Sequence, residues 1–151
     1  EIDFEEKLWH IPAERMKMDN DHFVPLTDQT LGFLNQLQEH NGKRKYIFAS
    51  PQKPMQPISE NAILNLLYRM GYKHKATGHG FRATASTILN EMGYNPDAIE
   101  RQLAHTERNK IRAAYNRSEY MDDRIEIMHH WSNYLDSISN KVVPLHASKS
   151  A

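Results

Sequence analysis

The stretch Thr77-Gly78-His79-Gly80-Phe81-Arg82 opens a predicted helix and carries the clearest chemical signal in the chain. His79 and Arg82 stand three residues apart at the start of that helix, so both side chains lie near its exposed first-turn N–H groups. Phe81 is expected to turn into the core, which directs the other two outward. A positive helix end, an arginine fork and a histidine together form a site of phosphate size. The alternative is an ordinary amphipathic helix that happens to carry a histidine and an arginine.

The elements on either side of this helix predict an α+β fold that is mainly helical. Strands are predicted at residues 8–12 and 22–26, joined through the turn residues Asp19-Asn20-Asp21, with residues 2–4 as a candidate third strand. Helices are predicted at 27–40, from a Ser59 cap to Gly71, and at about 80–92, 96–104, 109–116 and 119–137. The second of these carries Ile63, Leu66, Leu67 and Met70 on one face. We therefore expect a small antiparallel sheet at the front of the chain, followed by helices.

The end of the chain carries two further predictions. The last helix has the strongest apolar stripe, which includes Trp131, and such a helix either packs on its own domain or docks on a neighbouring protomer. Residues 138–151 have no such pattern and are predicted to form a disordered tail, which leaves residues 1–137 as one domain.

Composition excludes several classes of protein. The 151 residues suffice for one domain with one core, and 19 Lys and Arg balance 19 Asp and Glu. A uniformly basic nucleic-acid binder is thereby excluded, although a basic face is not. The chain has no cysteine, so it has no disulfide, thiolate metal site or cysteine nucleophile. No apolar run approaches the length of about 18 residues that a membrane span needs.

Charge is distributed unevenly along the chain. Residues 61–90 contain four cations and no acidic residue, namely Arg69, Lys73, Lys75 and Arg82. Residues 101–117 contain one acidic residue, Glu107, against five cations, namely Arg101, Arg108, Lys110, Arg112 and Arg117. A single cluster of this kind is usually a solvated helix face, but two of them with the acidic residues elsewhere favour a surface that faces a polyanion.

Three more residues are weak signals alone and informative as an ordered set. They are Lys17 on the hairpin, His105 at a helix end and Tyr115 ten residues later. With the residues around them, the sequence resembles the tyrosine recombinase (phage integrase) family over residues 1 to about 137. Its motif sequences are similar to those of the P4-type prophage integrases. The matching pieces, in chain order, are Arg15-Met16-Lys17, His22-Phe23-Val24-Pro25-Leu26, His79-Gly80-Phe81-Arg82, Leu103-Ala104-His105, Ala114-Tyr115-Asn116-Arg117 and Trp131-Ser132-Asn133-Tyr134-Leu135.

The resemblance implies that the small antiparallel sheet packs against a helical body. It also implies a site-specific DNA recombinase with five catalytic residues in this chain. Tyr115 would attack a DNA phosphate and form a 3′-phosphotyrosyl intermediate. Arg82 and His105 would stabilise the charge on the phosphate oxygens, and His79 would accept the tyrosine proton. Lys17 would protonate the departing 5′-oxygen.

The resemblance also implies the partners of the chain and its place in the cell. Double-stranded DNA attachment sites and further recombinase protomers are the expected partners, without a membrane or a small-molecule ligand. Neither a metal nor another cofactor is expected, and the location is the bacterial cytoplasm, at the nucleoid. The candidate DNA-binding residues are Lys73, Lys75, Arg108, Lys110 and Arg112.

One part of the family pattern has no counterpart in the sequence. The family has a further catalytic arginine on a helix upstream of the β-hairpin, whereas this sequence opens at the strand, with Glu1-Ile2-Asp3-Phe4. Neither Arg15 nor Arg44 lies in the expected context. We therefore expect a piece of a catalytic domain, without the N-terminal DNA-clamping domain, that cleaves DNA poorly on its own.

Other functions stay open at this point. The chain could be a non-catalytic DNA-binding remnant of an integrase, or could belong with the type IB topoisomerases, whose active-site chemistry is similar. A metal hydrolase built on His74, His79 and His105, or on His129-His130, is disfavoured by the absence of an HExxH motif and by the divergence of adjacent side chains on a helix. Tyr120 competes with Tyr115 as the nucleophile, but acidic neighbours at Glu119, Asp122 and Asp123 disfavour it.

Overall fold

The computed structural model describes residues 1–17, 19–42, 44–105 and 120–139. It begins with a three-stranded antiparallel sheet, in the order β1 (Ile2–Asp3), β2 (Leu8–Ile11) and β3 (His22–Pro25). The register pairs Trp9 with Val24 and His10 with Phe23. Residues 12–21 connect β2 to β3 and include a short 3-10 helix, Ala13–Arg15.

Five helices follow the sheet within the described residues. They are α1 (Asp28–Asn41), α2 (Ala62–Arg69), α3 (Gly78–Glu91), α4 (Pro96–Gln102) and α5 (Met121–Ser139). The α+β fold, mainly helical with a small antiparallel sheet, is therefore confirmed. The helix predicted at 109–116 and residues 140–151 of the predicted tail lie outside the described residues. Residues 138–139, the first two of that predicted tail, belong to α5.

Local sequence signals explain where these helices begin. The Thr27 hydroxyl accepts a hydrogen bond from the Thr30 N–H at the start of α1, and the Asn95 side chain accepts one from the Asp97 N–H at the start of α4. Pro96 then occupies the first turn of α4, where its missing N–H costs nothing. The predicted Ser59 cap is wrong: Asn61 is the N-cap of α2, and the Ser59 hydroxyl accepts from the Asn61 N–H ahead of the helix.

The core lies where α3, α4 and α5 meet. Its fully buried members are Ala98 and Ile99 in α4 and Ile127 in α5, and Leu89 of α3 is 4% exposed. Burying one isoleucine or leucine side chain contributes roughly 1.5–3 kcal/mol, so this contact fixes α4 against its neighbours. Trp131 packs against the same cluster, so the last helix packs on its own chain.

A second set of contacts joins α1 to α5. Thr27 is 1% exposed, and its hydroxyl lies 3.0 Å from the Ser132 hydroxyl. The Gln29 side-chain nitrogen donates to Asn133 at 2.9 Å and to Asp136 at 3.1 Å. The amino-terminal part of the chain is thereby tied to the last described helix.

The predicted burial of Phe81 is wrong, because its side chain is 56% exposed rather than packed in the core. The apolar face of α2 is also open, with Ile63 and Met70 each 60% exposed. An apolar stripe shows which side of a helix can be covered, but the cover itself must come from other elements. None of the described helices is long and apolar enough to cross a membrane.

Candidate active site

The amino-terminal end of α3 carries His79 and Arg82. The Thr77 hydroxyl caps the helix by accepting from the Gly80 N–H at 3.0 Å, which places both residues within the first two turns. Arg82 is half-buried and His79 is exposed. Among the described residues, His79 makes no hydrogen bond or ion pair, so no such contact joins it to Arg82.

The carboxyl end of α4 delivers His105 to Arg82. The chain leaves the helix through Ala104, whose φ of +48° is in the left-handed region. The Ala104 N–H donates to the Arg101 carbonyl at 3.0 Å, and the His105 N–H donates to the Glu100 carbonyl at 2.9 Å. These two bonds form a Schellman motif, a common way to end a helix. The turn brings the side chain of His105 back beside that of Glu100.

His105 bridges Glu100 and Arg82. The Arg82 Nε–H donates to His105 Nε2 at 3.2 Å, and His105 Nδ1 lies 2.7 Å from Oε2 of Glu100. Arginine is always protonated, so Nε2 must be the acceptor and carries no hydrogen in this arrangement. Nδ1 then carries the ring hydrogen and donates it to the carboxylate. The three side chains form one hydrogen-bonded row, from α3 to the last turn of α4.

The other predicted site residues are distributed as follows. Lys17 is exposed on the connection between β2 and β3, where the sequence placed it. Lys73 and Lys75 are exposed between α2 and α3, and the Lys73 ammonium lies 5.8 Å from the centre of the Tyr68 ring. The remaining predicted residues lie outside the described part of the chain; they are Tyr115, Arg108, Lys110 and Arg112.

Sequence reasoning did not identify Glu100, nor the contact between Arg124 and Gln102. Glu100 and His105 are joined by the backbone hydrogen bond that closes a Schellman motif. Glycine usually occupies the left-handed position of this motif and marks it in a sequence, whereas here the position is Ala104. Arg124 is fully buried and donates from Nε to Gln102 at 2.8 Å. It interrupts the apolar stripe of the last helix between Met121 and Ile125, and a charge on an apolar face is the signal that could have identified it.

Among the described residues, no three His, Asp or Glu side chains are grouped so that they could hold a metal ion. The polar groups that do meet are Arg82, His105 and Glu100, a set that suits an anion on the arginine side.

The profile of the phage integrase family matches residues 1–121. The chain belongs to this family. The match spans the sheet, α1 to α4 and both residues of the Arg82–His105 contact, so the recognition based on the ordered motifs is confirmed.

Curated relatives agree with the family profile. The chain is 43% identical over 150 residues to the prophage integrase IntA of Escherichia coli K12, with 99% of this chain and 36% of IntA covered. It is 42% identical over 161 residues to the integrase of Enterobacteria phage P4, with 96% of this chain and 37% of that integrase covered. The integrase of Shigella phage Sf6 is 39% identical over 136 residues, with coverage of 89% and 35%. The chain thus spans about a third of the length of these relatives. No solved structure matches it.

Proposed function

We propose that residues 1–137 belong to the catalytic domain of a site-specific DNA recombinase, which cleaves and rejoins strands through a 3′-phosphotyrosyl intermediate. The observation that carries this proposal is the contact of Arg82 with His105, at 3.2 Å, in a chain of the phage integrase family. A guanidinium and an imidazole from different helices meet there, and both types of group bind phosphate oxygens. The family membership supplies the reaction that such a site would serve.

Tyr115 is the proposed nucleophile. Its hydroxyl oxygen attacks the scissile phosphorus while the bond from phosphorus to the 5′-oxygen breaks, and the bonding electrons leave with that oxygen. A tyrosine is ordinarily protonated at neutral pH, so His79 accepts the phenol proton. Lys17 donates a proton to the departing 5′-oxygen. The phosphodiester energy is kept in the covalent link, so religation needs no nucleotide cofactor.

Arg82 and His105 are proposed to hold the phosphate. The guanidinium neutralises the non-bridging oxygens as negative charge builds up in the five-coordinate transition state. In the DNA-free arrangement, Nε2 of His105 accepts from Arg82. To donate to a phosphate oxygen, His105 must therefore exchange this bond for the phosphate and gain a second ring hydrogen, on Nε2, while Nδ1 keeps the hydrogen that it donates to Glu100.

Cations close in sequence to the candidate site residues supply the sequence-independent part of DNA binding. Lys73 and Lys75 precede α3, and the cluster of Arg108, Lys110 and Arg112 precedes Tyr115 along the chain. Contacts of this kind position the duplex and make binding depend on salt. Recombination between two duplexes brings further protomers together on DNA attachment sites in the bacterial cytoplasm, at the nucleoid.

Tyr120 serves as the matched control for the nucleophile. It is half-buried and packs against the core cluster formed by α3, α4 and α5. The experiment uses the complete protein that carries this chain and a nicked suicide duplex of its attachment site, from which the cleaved strand escapes. Tyr115→Phe should abolish the covalent adduct and leave DNA binding close to normal, whereas Tyr120→Phe should keep the adduct.

Two outcomes would overturn the proposal. Adducts that survive Tyr115→Phe and vanish with Tyr120→Phe would show that the nucleophile is Tyr120 and not Tyr115. Tight, salt-dependent DNA binding with no adduct from the unmodified protein would favour the other candidate function, a DNA-binding remnant of an integrase.

A further inference from the structure

We infer that Glu100 is a positioning residue, which fixes the tautomer of His105 and thereby orients Arg82. The role in DNA cleavage rests on the proposed function, whereas the role in orienting the two side chains can be tested without DNA. The inference comes from the hydrogen-bonded row of Glu100, His105 and Arg82 at the meeting of α3 and α4.

The carboxylate decides which ring nitrogen of His105 carries the hydrogen. Neutral histidine exists as two tautomers, and the partner of one nitrogen sets the state of the other. Oε2 of Glu100 can only accept, and it lies 2.7 Å from Nδ1, so it holds the hydrogen there. Nε2 is left with a lone pair, which is what the N–H of Arg82 requires.

The backbone holds Glu100 and His105 close enough for the hydrogen bond between Nδ1 and Oε2. Glu100 and His105 close the Schellman motif, with the His105 N–H donating to the Glu100 carbonyl at 2.9 Å. The preceding Ile99 is fully buried and Leu103 packs against the same core. The two side chains thus project from a rigid turn, although Glu100 is 51% exposed and His105 39%.

The contact with His105 leaves the two terminal nitrogens of the Arg82 guanidinium open to a phosphate. Arg82 donates to His105 from Nε, and its terminal nitrogens have no partner among the described residues. A guanidinium held at Nε presents its terminal nitrogens together, and such a pair matches two oxygens of one phosphate. In the other tautomer, Nε2 would carry a hydrogen and face the Arg82 N–H, so this contact would be lost.

The first test is nitrogen NMR of His105 in this chain, free of DNA. The unmodified chain and Glu100→Gln should show the hydrogen on Nδ1, because the glutamine oxygen can still accept. Glu100→Ala should move the hydrogen to Nε2 in most molecules, and the Nε–H of Arg82 should then exchange faster with water. Glu91→Ala is the matched control, since it removes an exposed carboxylate from the end of α3. It should leave both signals unchanged.

The second test is single-turnover adduct formation by the complete protein on the nicked duplex. Glu100→Ala should slow cleavage roughly tenfold, because Arg82 then meets the phosphate less well oriented and the doubly protonated His105 loses its carboxylate partner. Tenfold is the lower end of the loss found when the partner of a metal-bound histidine is removed. DNA affinity should stay within about twofold. Glu100→Gln should recover most of the rate, because the glutamine oxygen can still accept from Nδ1. A tenfold change in rate corresponds to about 1.4 kcal/mol.

The outcomes separate this inference from the proposed function. Glu100→Ala with the hydrogen still on Nδ1 overturns the positioning role, whatever the protein does to DNA. An unchanged cleavage rate in Glu100→Ala, in a protein that does form adducts, overturns its importance for cleavage. If the unmodified protein forms no adduct, the proposed function fails, and the NMR result alone decides the role of Glu100.

Discussion

Arg124 donates a hydrogen bond from Nε to Oε1 of Gln102 at 2.8 Å, which joins the middle of the core to the last residue of α4. The same guanidinium donates from Nη2 to the carbonyl oxygen of Phe23 in β3. One fully buried side chain therefore connects the sheet, α4 and α5. Since Gln102 lies three residues before His105, this link also holds the end of α4 that carries the candidate site.

Arg124→Leu should destabilise the chain by roughly 3 kcal/mol. The substitution leaves the Gln102 oxygen and the Phe23 carbonyl without these donors, and a buried polar group that loses its partner costs about 1–3 kcal/mol. Urea unfolding measures the difference. Arg69→Leu makes the same change on the exposed surface of α2 and should shift stability by less than about 0.5 kcal/mol. Equal effects of the two substitutions would show that the buried contacts contribute nothing specific.

Ala104→Gly should stabilise the chain by about 1 kcal/mol. Ala104 has a φ of +48°, a conformation that costs an L-residue about 1–2 kcal/mol and glycine much less, partly offset by the greater entropy of glycine in the unfolded chain. The midpoint of thermal unfolding should rise accordingly. Ala98→Gly, in the buried part of α4, is the opposite control and should destabilise. A loss of stability in Ala104→Gly would contradict the strain argument.

The sequence predicted the sheet and all described helices, because turn residues, caps and hydrophobic periodicity are local signals. Thr27 and Asn95 are caps in the structure as well as in the pattern. Burial was less predictable: Phe81 lies on a helix with an apolar side, yet no described element covers it enough to bury it. Whether a face is covered depends on residues distant in the chain, which periodicity does not report.

The candidate site was predictable in part for the same reason. Arg82 and His105 stand out because of their motifs, and the structure brings them into contact. Glu100 does not stand out, since its importance arises from a turn that returns His105 to it. A left-handed residue is expected to be glycine, and Ala104 conceals the turn.

Asp28 should make stability depend on pH in the acidic range. The Lys7 ammonium, 2.8 Å away, donates a hydrogen bond to the Asp28 carboxylate and holds its pKa below the ordinary value of 3.8. A carboxyl group with a lowered pKa in the folded state stabilises the fold above its ordinary pKa, and this contribution is lost as pH falls through the lowered value. The contribution is small because both side chains are exposed.

The measurement is the thermal midpoint between about pH 5 and pH 2, a window set by that ordinary carboxyl pKa. Asp28→Asn should lower the midpoint at pH 5 and approach the unmodified chain at the acid end, where the carboxylate of the latter is protonated. Asp122→Asn is the control, as Asp122 also lies in the first turn of a helix. A constant difference between Asp28→Asn and the unmodified chain at every pH would contradict the linkage.

Lys73 and Lys75 should each contribute one phosphate contact to DNA binding by the complete protein. Releasing counterions from B-DNA gives a slope of log affinity against log salt of about −0.9 for each phosphate neutralised, so the double variant Lys73→Ala/Lys75→Ala should be shallower by roughly 2. The loss should be the same on attachment-site and unrelated duplexes, since phosphate contacts carry no sequence information. Lys7→Ala is the matched control, because its ammonium is already paired with Asp28, and it should leave the slope unchanged. An unchanged slope in the double variant would place both lysines outside the DNA interface.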